Sequence, residues 1–198
     1  MKRRMNLPNK LTMLRIILVP VFVYFAKNTR SSAYQWTALA IFIIASVTDM
    51  LDGRIARAQH LVTDFGKFMD PIADKMLVMS ALVLLVERAG DPDNLGSYMP
   101  AWVCIIMLGR EFIVSGFRLV AMTKGKVIAA GIWGKLKTVS QMLYIPMALL
   151  IIPVYHLDLD MHKYWRMFTQ ALMYISLALT IWSGFKYLWD NRELITDM

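Results

Sequence analysis

Cysteine is almost missing from this chain. Cys104 stands alone among 198 residues, so neither a disulfide framework nor a thiolate zinc site can be built. It lies in an apolar run and reads as a packing residue. Histidine is scarce as well, and His60, His156 and His162 are too scattered to read as ligands; each reads as loop surface. Charged residues are only 18% of the chain, and acids (14) are fewer than bases (22). That scarcity, with 58% hydrophobic residues and mean hydropathy +0.48, excludes a soluble domain of ordinary composition. A net charge of +8 can attract nucleic acid. In so apolar a chain it reflects anionic lipid and positive-inside topology, and no nucleic-acid partner is expected. Repeats, low-complexity tracts and linkers are also lacking, so one domain over 1–198 is expected.

What is present is a series of long apolar runs, the signature of membrane spans. Six can be drawn: Leu11–Ala26, Ala33–Thr48, Asp70–Val86, Tyr98–Met122, Thr138–Tyr155 and Trp165–Trp189. The second continues as a helix beyond Thr48. Several fall short of about 20 clean apolar residues, as helices protruding into the interface would. The expected fold is all-α, with six transmembrane helices and an N-terminal interfacial helix segment. Met1–Asn28 has the basic start and apolar middle of a signal peptide. No A-x-A site follows, so it reads as an uncleaved first helix.

Lysine and arginine sort by side. With the N-terminus placed in the cytoplasm, seventeen fall at inside ends and loops. Five fall outside: Lys27, Arg30, Arg88, Lys163 and Arg166. The bias puts both termini inside. Trp36, Trp102, Trp165 and Trp189 near span ends fit an aromatic belt.

Against this background the aspartates stand out. Asp49 and Asp52 close the second apolar segment, and Asp70 and Asp74 open the third. A carboxylate at membrane depth costs ~2.5–3.5 kcal/mol on insertion scales, so intramembrane acids are functional by default. Residues three or four apart share a helix face. Asp49 therefore points with Asp52, and Asp70 with Asp74. A hairpin-like connection would bring both pairs together, and two hard divalent cations are the natural partners of such an all-oxygen cluster. Capping explains Asp70 before Pro71. It does not explain Asp49 and Asp52 at a helix C-terminus, where the dipole disfavours anions. Gly53 and Gly66 let a ligand or a helix approach the backbone, and packing in the membrane is the other reading of both.

The full spacing is D-x2-D-G-x2-A-R-x8-G-x3-D-x3-D, with all eight fixed positions filled by Asp49, Asp52, Gly53, Ala56, Arg57, Gly66, Asp70 and Asp74. This resembles the CDP-alcohol phosphotransferase family of integral membrane enzymes. The resemblance implies two Mg²⁺ or Mn²⁺ ions per active site on Asp49, Asp52, Asp70 and Asp74. Asp70 would bridge, and Asp74 would also be the candidate general base. A carboxylate beside two cations has a lowered pKa, so metal-assisted deprotonation stays open beside it. The resemblance further implies cytidine and phosphates at Gly53, Ala56, Arg57 and Gly66. The opening N-L-P-N-x-L-T-x2-R is similar to the start of many members, which adds Asn9 and Thr12 to the nucleotide site. For Arg15 a nucleotide role and a snorkelling anchor role both stand.

A third stretch concerns the acceptor. Arg110 and Glu111 lie within an apolar run and need partners. Arg118, Lys135 and Lys137 gather near the same cytoplasmic face, as a phosphate-bearing acceptor would require. The candidate acceptor-phosphate residues are thus Arg110, Arg118, Lys135 and Lys137. Lys124 and Lys126 read as charge for anionic lipid. R-E-x4-G-x-R and G-K-x-K-T here resemble those members that join CDP-diacylglycerol to sn-glycerol 3-phosphate and release CMP. The resemblance implies a homodimer among membrane lipids, in the bacterial cytoplasmic membrane, with its active site on the cytoplasmic side. Other acceptors within the family are inositol phosphate, phosphatidylglycerol and serine. From a different class, buried acids in short spans would also suit a divalent-cation transporter. That reading calls for acids near mid-membrane and repeat symmetry, and neither is evident.

Overall fold

A computed structural model describes the backbone of residues 7–29, 31–58, 64–89, 99–123, 128 and 131–192. Side chains are described at 12–29, 31–48, 75–88, 99–122, 128 and 131–192. Within these limits the chain is all helix, with no strand. The helices are α1 (Leu7–Lys27), α2 (Ser32–Ala58), α3 (Asp64–Ala89), α4 (Ala101–Thr123), α5 (Ile132–Leu149), α6 (Ile151–Leu157) and α7 (Leu159–Asp190).

The helices follow the apolar runs, with differences at their ends. α1 begins at Leu7, so the interfacial segment and the first span form one continuous helix; Pro8 in its first turn costs no hydrogen bond. α2 runs through the first aspartate pair, as the pattern predicts. α3 starts at Asp64, six residues before Asp70, so Asp70 and Pro71 lie inside the helix rather than at its start. The fifth run is divided at Leu150. Pro146 and Pro153 flank the break, and neither can donate a backbone hydrogen bond. Leu150 still donates to the Pro146 carbonyl (3.1 Å) and accepts from Val154 (3.0 Å), so α6 continues α5 with a shift rather than a turn. Trp165 donates its indole N–H to the Met147 carbonyl near the end of α5 (2.9 Å). That gives Trp165 a structural bond in place of a purely interfacial role. α7 is capped by Asp158, whose carboxylate accepts from the backbone N–H groups of Asp160 and Met161.

α1 packs on α2 and α3, and α5 packs on α7; α4 and α6 also lie against α7. Contacts of α2 with α5 and α6, and of α3 with α4 and α5, join the two groups. Phe22, Phe42, Leu82, Leu85, Met107, Tyr144 and Ile145 fill the centre, and Cys104 is buried among them as expected.

Large apolar side chains remain exposed while several polar groups are buried beside the apolar core. Tyr24, Ile105, Phe112 and Leu119 are 64–68% exposed, whereas Gln35, Arg88, Lys137, Gln141 and Thr180 are buried. A chain surrounded by hydrocarbon can leave apolar side chains outside but must pair its polar groups inside. The stretch Ile132–Leu157 and α7 are long and apolar enough to cross a membrane, and Ser32–Thr48 is a shorter apolar helix. At 1.5 Å per residue α7 is about 48 Å long, more than the ~30 Å hydrocarbon layer needs.

Arg88 departs from its expected place as an outer-loop charge. It is buried and donates to the Ala26 carbonyl and to Gln35 Oε1. Gln35 in turn donates to the carbonyls of Ala26 (3.2 Å) and Asn28 (2.6 Å). The last carbonyls of a helix have no partner within it, so side chains from α2 and α3 together close the end of α1.

Candidate active site

The backbone carries the candidate site residues on one set of helix segments. The set comprises the start of α1, the last turns of α2, the first turns of α3, the second half of α4, the start of α5 and the end of α7. Asp49, Asp52, Gly53, Ala56 and Arg57 lie on α2, and Gly66, Asp70 and Asp74 on α3. Asn9 and Thr12 lie on α1. Thr12 is buried; the side chains of Asn9 and of every motif residue from 49 to 74 lie outside the described residues.

The backbone alone tests whether divalent cations fit. In a helix, positions three apart are separated by about 60° and positions four apart by about 40°. Both stretches are helical, so Asp49 shares a face with Asp52 and Asp70 with Asp74. α2 and α3 are in contact. Carboxylate oxygens are the donors that hard divalent ions prefer, and this donor set fits them. Among the residues with described side chains no group of three His, Cys, Asp or Glu forms a competing metal site.

Immediately after Asp74, Lys75 reaches across to α4 and donates to Ser115 Oγ. Ser115 also donates to the Glu111 carbonyl (2.6 Å). This contact joins the turn of α3 that follows Asp74 to the part of α4 that carries Arg110, Glu111 and Arg118.

The four expected acceptor residues do not converge. Arg110 and Arg118 do, lining one cavity of 260 Å³ between α4, the start of α5 and the end of α7. Arg110 donates through Nη2 to Ser183 Oγ (3.1 Å). The Arg118 guanidinium lies over the Tyr187 ring, 5.5 Å from its centroid, a cation–π arrangement. Lys137 is buried and bonded to Glu111 instead, away from the cavity lining. Arg110 Nη1 is 3.6 Å from the same carboxylate. Lys135, on the other side of α5, is exposed. The Nε groups of Arg110 and Arg118 and the Tyr187 hydroxyl are buried without a hydrogen-bond partner among the described residues. Two arginines at one cavity suit an anion with several acceptor oxygens; Lys186 and Asp190, paired with each other at 3.4 Å, line it as well.

Sequence reasoning passed over Ser183, Gly184 and Tyr187. They carry no charge and belong to no spaced motif, and in an apolar span they read as ordinary packing. The one legible signal is serine and glycine side by side at the end of α7, small residues that permit close helix approach.

A family model described as CDP-alcohol phosphatidyltransferase matches residues 5–182. The chain belongs to the CDP-alcohol phosphatidyltransferase family. Its similarity to relatives runs nearly end to end. A CDP-diacylglycerol–glycerol-3-phosphate 3-phosphatidyltransferase of Bacillus subtilis is 36% identical over 96% of this chain and 97% of the relative. One of Haemophilus influenzae is 39% identical over 98% of this chain and 97% of the relative. One of Pseudomonas fluorescens is 36% identical over 93% of this chain and 89% of the relative. Within this family context the aspartate-bearing turns of α2 and α3 and the arginine cavity beside them form one candidate active site.

Proposed function

We propose that this transferase moves the phosphatidyl group of CDP-diacylglycerol to sn-glycerol 3-phosphate, giving phosphatidylglycerophosphate and CMP. Similarity to phosphatidyltransferases over almost the whole chain supports the reaction. The observation that carries the acceptor is the Arg110–Arg118 cavity, whose two arginines suit a phosphomonoester. It lies across the Lys75–Ser115 contact from the turn bearing Asp74.

Asp49, Asp52 and Asp70 would hold one divalent cation, with Asp70 reaching a second beside Asp74. Two such ions supply charge stabilisation to a phosphoryl group under in-line displacement. Asn9, Thr12, Gly53, Ala56, Arg57 and Gly66 would receive the cytidine and its phosphates. Arg110 and Arg118 hold the acceptor phosphate, which presents the glycerol C1 hydroxyl to the β-phosphorus of the donor. Asp74 takes the hydroxyl proton. The new ester bond forms as the bond to CMP breaks.

The same reading makes residues 1–198 one domain with six membrane passages, α5 and α6 counting as one. Both termini and the site face the cytoplasm, in keeping with the bias of seventeen basic residues against five. The family resemblance supports a homodimer in the bacterial cytoplasmic membrane.

The test is CMP release by purified enzyme in detergent. Glycerol 3-phosphate, inositol phosphate, serine and phosphatidylglycerol would each be offered with CDP-diacylglycerol. Release with glycerol 3-phosphate alone is expected. Mg²⁺ or Mn²⁺ should be required, and Asp70→Asn, correctly folded by gel filtration, should be inactive. Full turnover after exhaustive chelation would end the two-metal reading.

A further inference from the structure

The arginine cavity has a wall that the motifs do not mention. Its outer side is the end of α7, and each guanidinium is seated by a residue of that helix. Gly184 is buried against Arg110. A Cβ built there would come 2.9 Å from Arg110 Cγ. Cγ is close to the backbone, so it cannot swing aside as a side-chain tip can. A methyl group at 184 must turn Arg110 about χ1 or push α7 away from α4. Ser183, one residue earlier, accepts from Arg110 Nη2 at 3.1 Å. Tyr187, one turn later, supports Arg118 beneath its guanidinium and meets Phe117 of the same helix edge to face, with 5.9 Å between ring centroids.

We propose that Ser183, Gly184 and Tyr187 form a positioning element that sets the separation and aim of the Arg110 and Arg118 guanidiniums, and so determines which acceptor phosphate the cavity takes. This rests on the assignment of the cavity to the acceptor. The geometry divides the work. Gly184 supplies the space into which the Arg110 stem fits, and Ser183 fixes the fork at its other end. The Tyr187 ring holds Arg118 in place. The Tyr187 hydroxyl is buried with no partner among the described residues. These residues act on the acceptor through the arginines. None of them lies on the helices that carry the nucleotide motif.

The experiment is two-substrate steady-state kinetics on Gly184→Ala, Tyr187→Phe and Tyr187→Leu, with Arg118→Ala alongside. Misplacing a binding group by about 1 Å can cost a hundredfold, and loss of uniform binding raises KM at constant kcat. Gly184→Ala should therefore raise the KM for glycerol 3-phosphate by about tenfold or more, with the KM for CDP-diacylglycerol held within about twofold. Tyr187→Leu should do the same. Tyr187→Phe keeps the ring and should recover part of the loss. Competition by inorganic phosphate against glycerol 3-phosphate should weaken in parallel in Gly184→Ala. Retention of wild-type acceptor KM in both Gly184→Ala and Tyr187→Leu, while Arg118→Ala loses it, would overturn the positioning role alone. An unchanged acceptor KM in Arg118→Ala would overturn the cavity assignment and this inference with it. Equal losses toward both substrates would mark a structural role and also overturn the inference.

Discussion

Arg118 and Lys137 carry the same charge at the same end of the bundle, yet their surroundings assign them different work. Arg118 lines an open cavity over Tyr187, whereas Lys137 is buried against Glu111. Removing a charge-assisted hydrogen bond costs about 1.5–3 kcal/mol. Arg118→Ala should therefore lower acceptor kcat/KM about ten- to hundredfold, at about 1.4 kcal/mol per tenfold. Breaking a buried ion pair by deleting one partner costs about 3–5 kcal/mol, because the other charge is left uncompensated. Lys137→Ala should thus fail chiefly by lost stability. Lys137→Met combined with Glu111→Gln should recover much of it, as a thermal melt in detergent would show. Selective loss of acceptor affinity in Lys137→Ala, at unchanged melting temperature, would return Lys137 to the acceptor site. Lys135 is exposed, and a surface charge contact is worth about 0.2–1 kcal/mol. Lys135→Ala should change acceptor kcat/KM by no more than about fivefold.

At the scale of the element, helix ends and breaks are settled by groups from neighbouring helices. The end of α1 is closed by Arg88 and Gln35, and Lys27 and Glu87 add an ion pair nearby at 2.9 Å. That outer pair is exposed and contributes little. Arg88→Ala removes a buried charged donor worth about 1.5–3 kcal/mol. At about 2–4 °C per kcal/mol for a chain of this size, the melting temperature should fall by roughly 3–12 °C. Turnover at low temperature should be preserved, since Arg88 lies at the end of α3 remote from Asp74. Lys27→Ala should shift the melt by no more than a few degrees. A lower melting temperature for Lys27→Ala than for Arg88→Ala would reverse this account. Hydroxyls link α5 and α7 in a similar way. Ser140 bonds to Ser176 across the interface at 3.1 Å, and Thr180 and Ser183 bond back to their own helix. Side-chain hydrogen bonds of this kind join helices where hydrophobic burial offers no net drive.

For the whole molecule the testable quantity is orientation. In a Cys104→Ser background, single cysteines at His60 and Lys126 should react only with reagents that reach the cytoplasm. Cysteines at Asp93 and Asp158 should react from outside. The reverse pattern would put the aspartate motif on the face without CMP and cytoplasmic glycerol 3-phosphate. The amino-acid sequence by itself determined the helical class and the course of the helices, and it singled out the acids proposed to hold metal. Each depends on local periodicity: apolar runs mark helices, and spacings of three and four place Asp49 with Asp52 and Asp70 with Asp74. It also carried the family, through eight residues at fixed intervals. Only the tertiary structure decided which basic residues share a cavity. Arg110, Arg118, Lys135 and Lys137 are alike in charge and proximity to one end of the chain's spans. Their separation into cavity, ion pair and surface depends on the rotation of α4 and α5 about their axes. It also depends on α7, whose Ser183, Gly184 and Tyr187 are far from them in sequence. Contacts across such distances leave no periodic mark on either segment, so packing alone could bring Gly184 against Arg110.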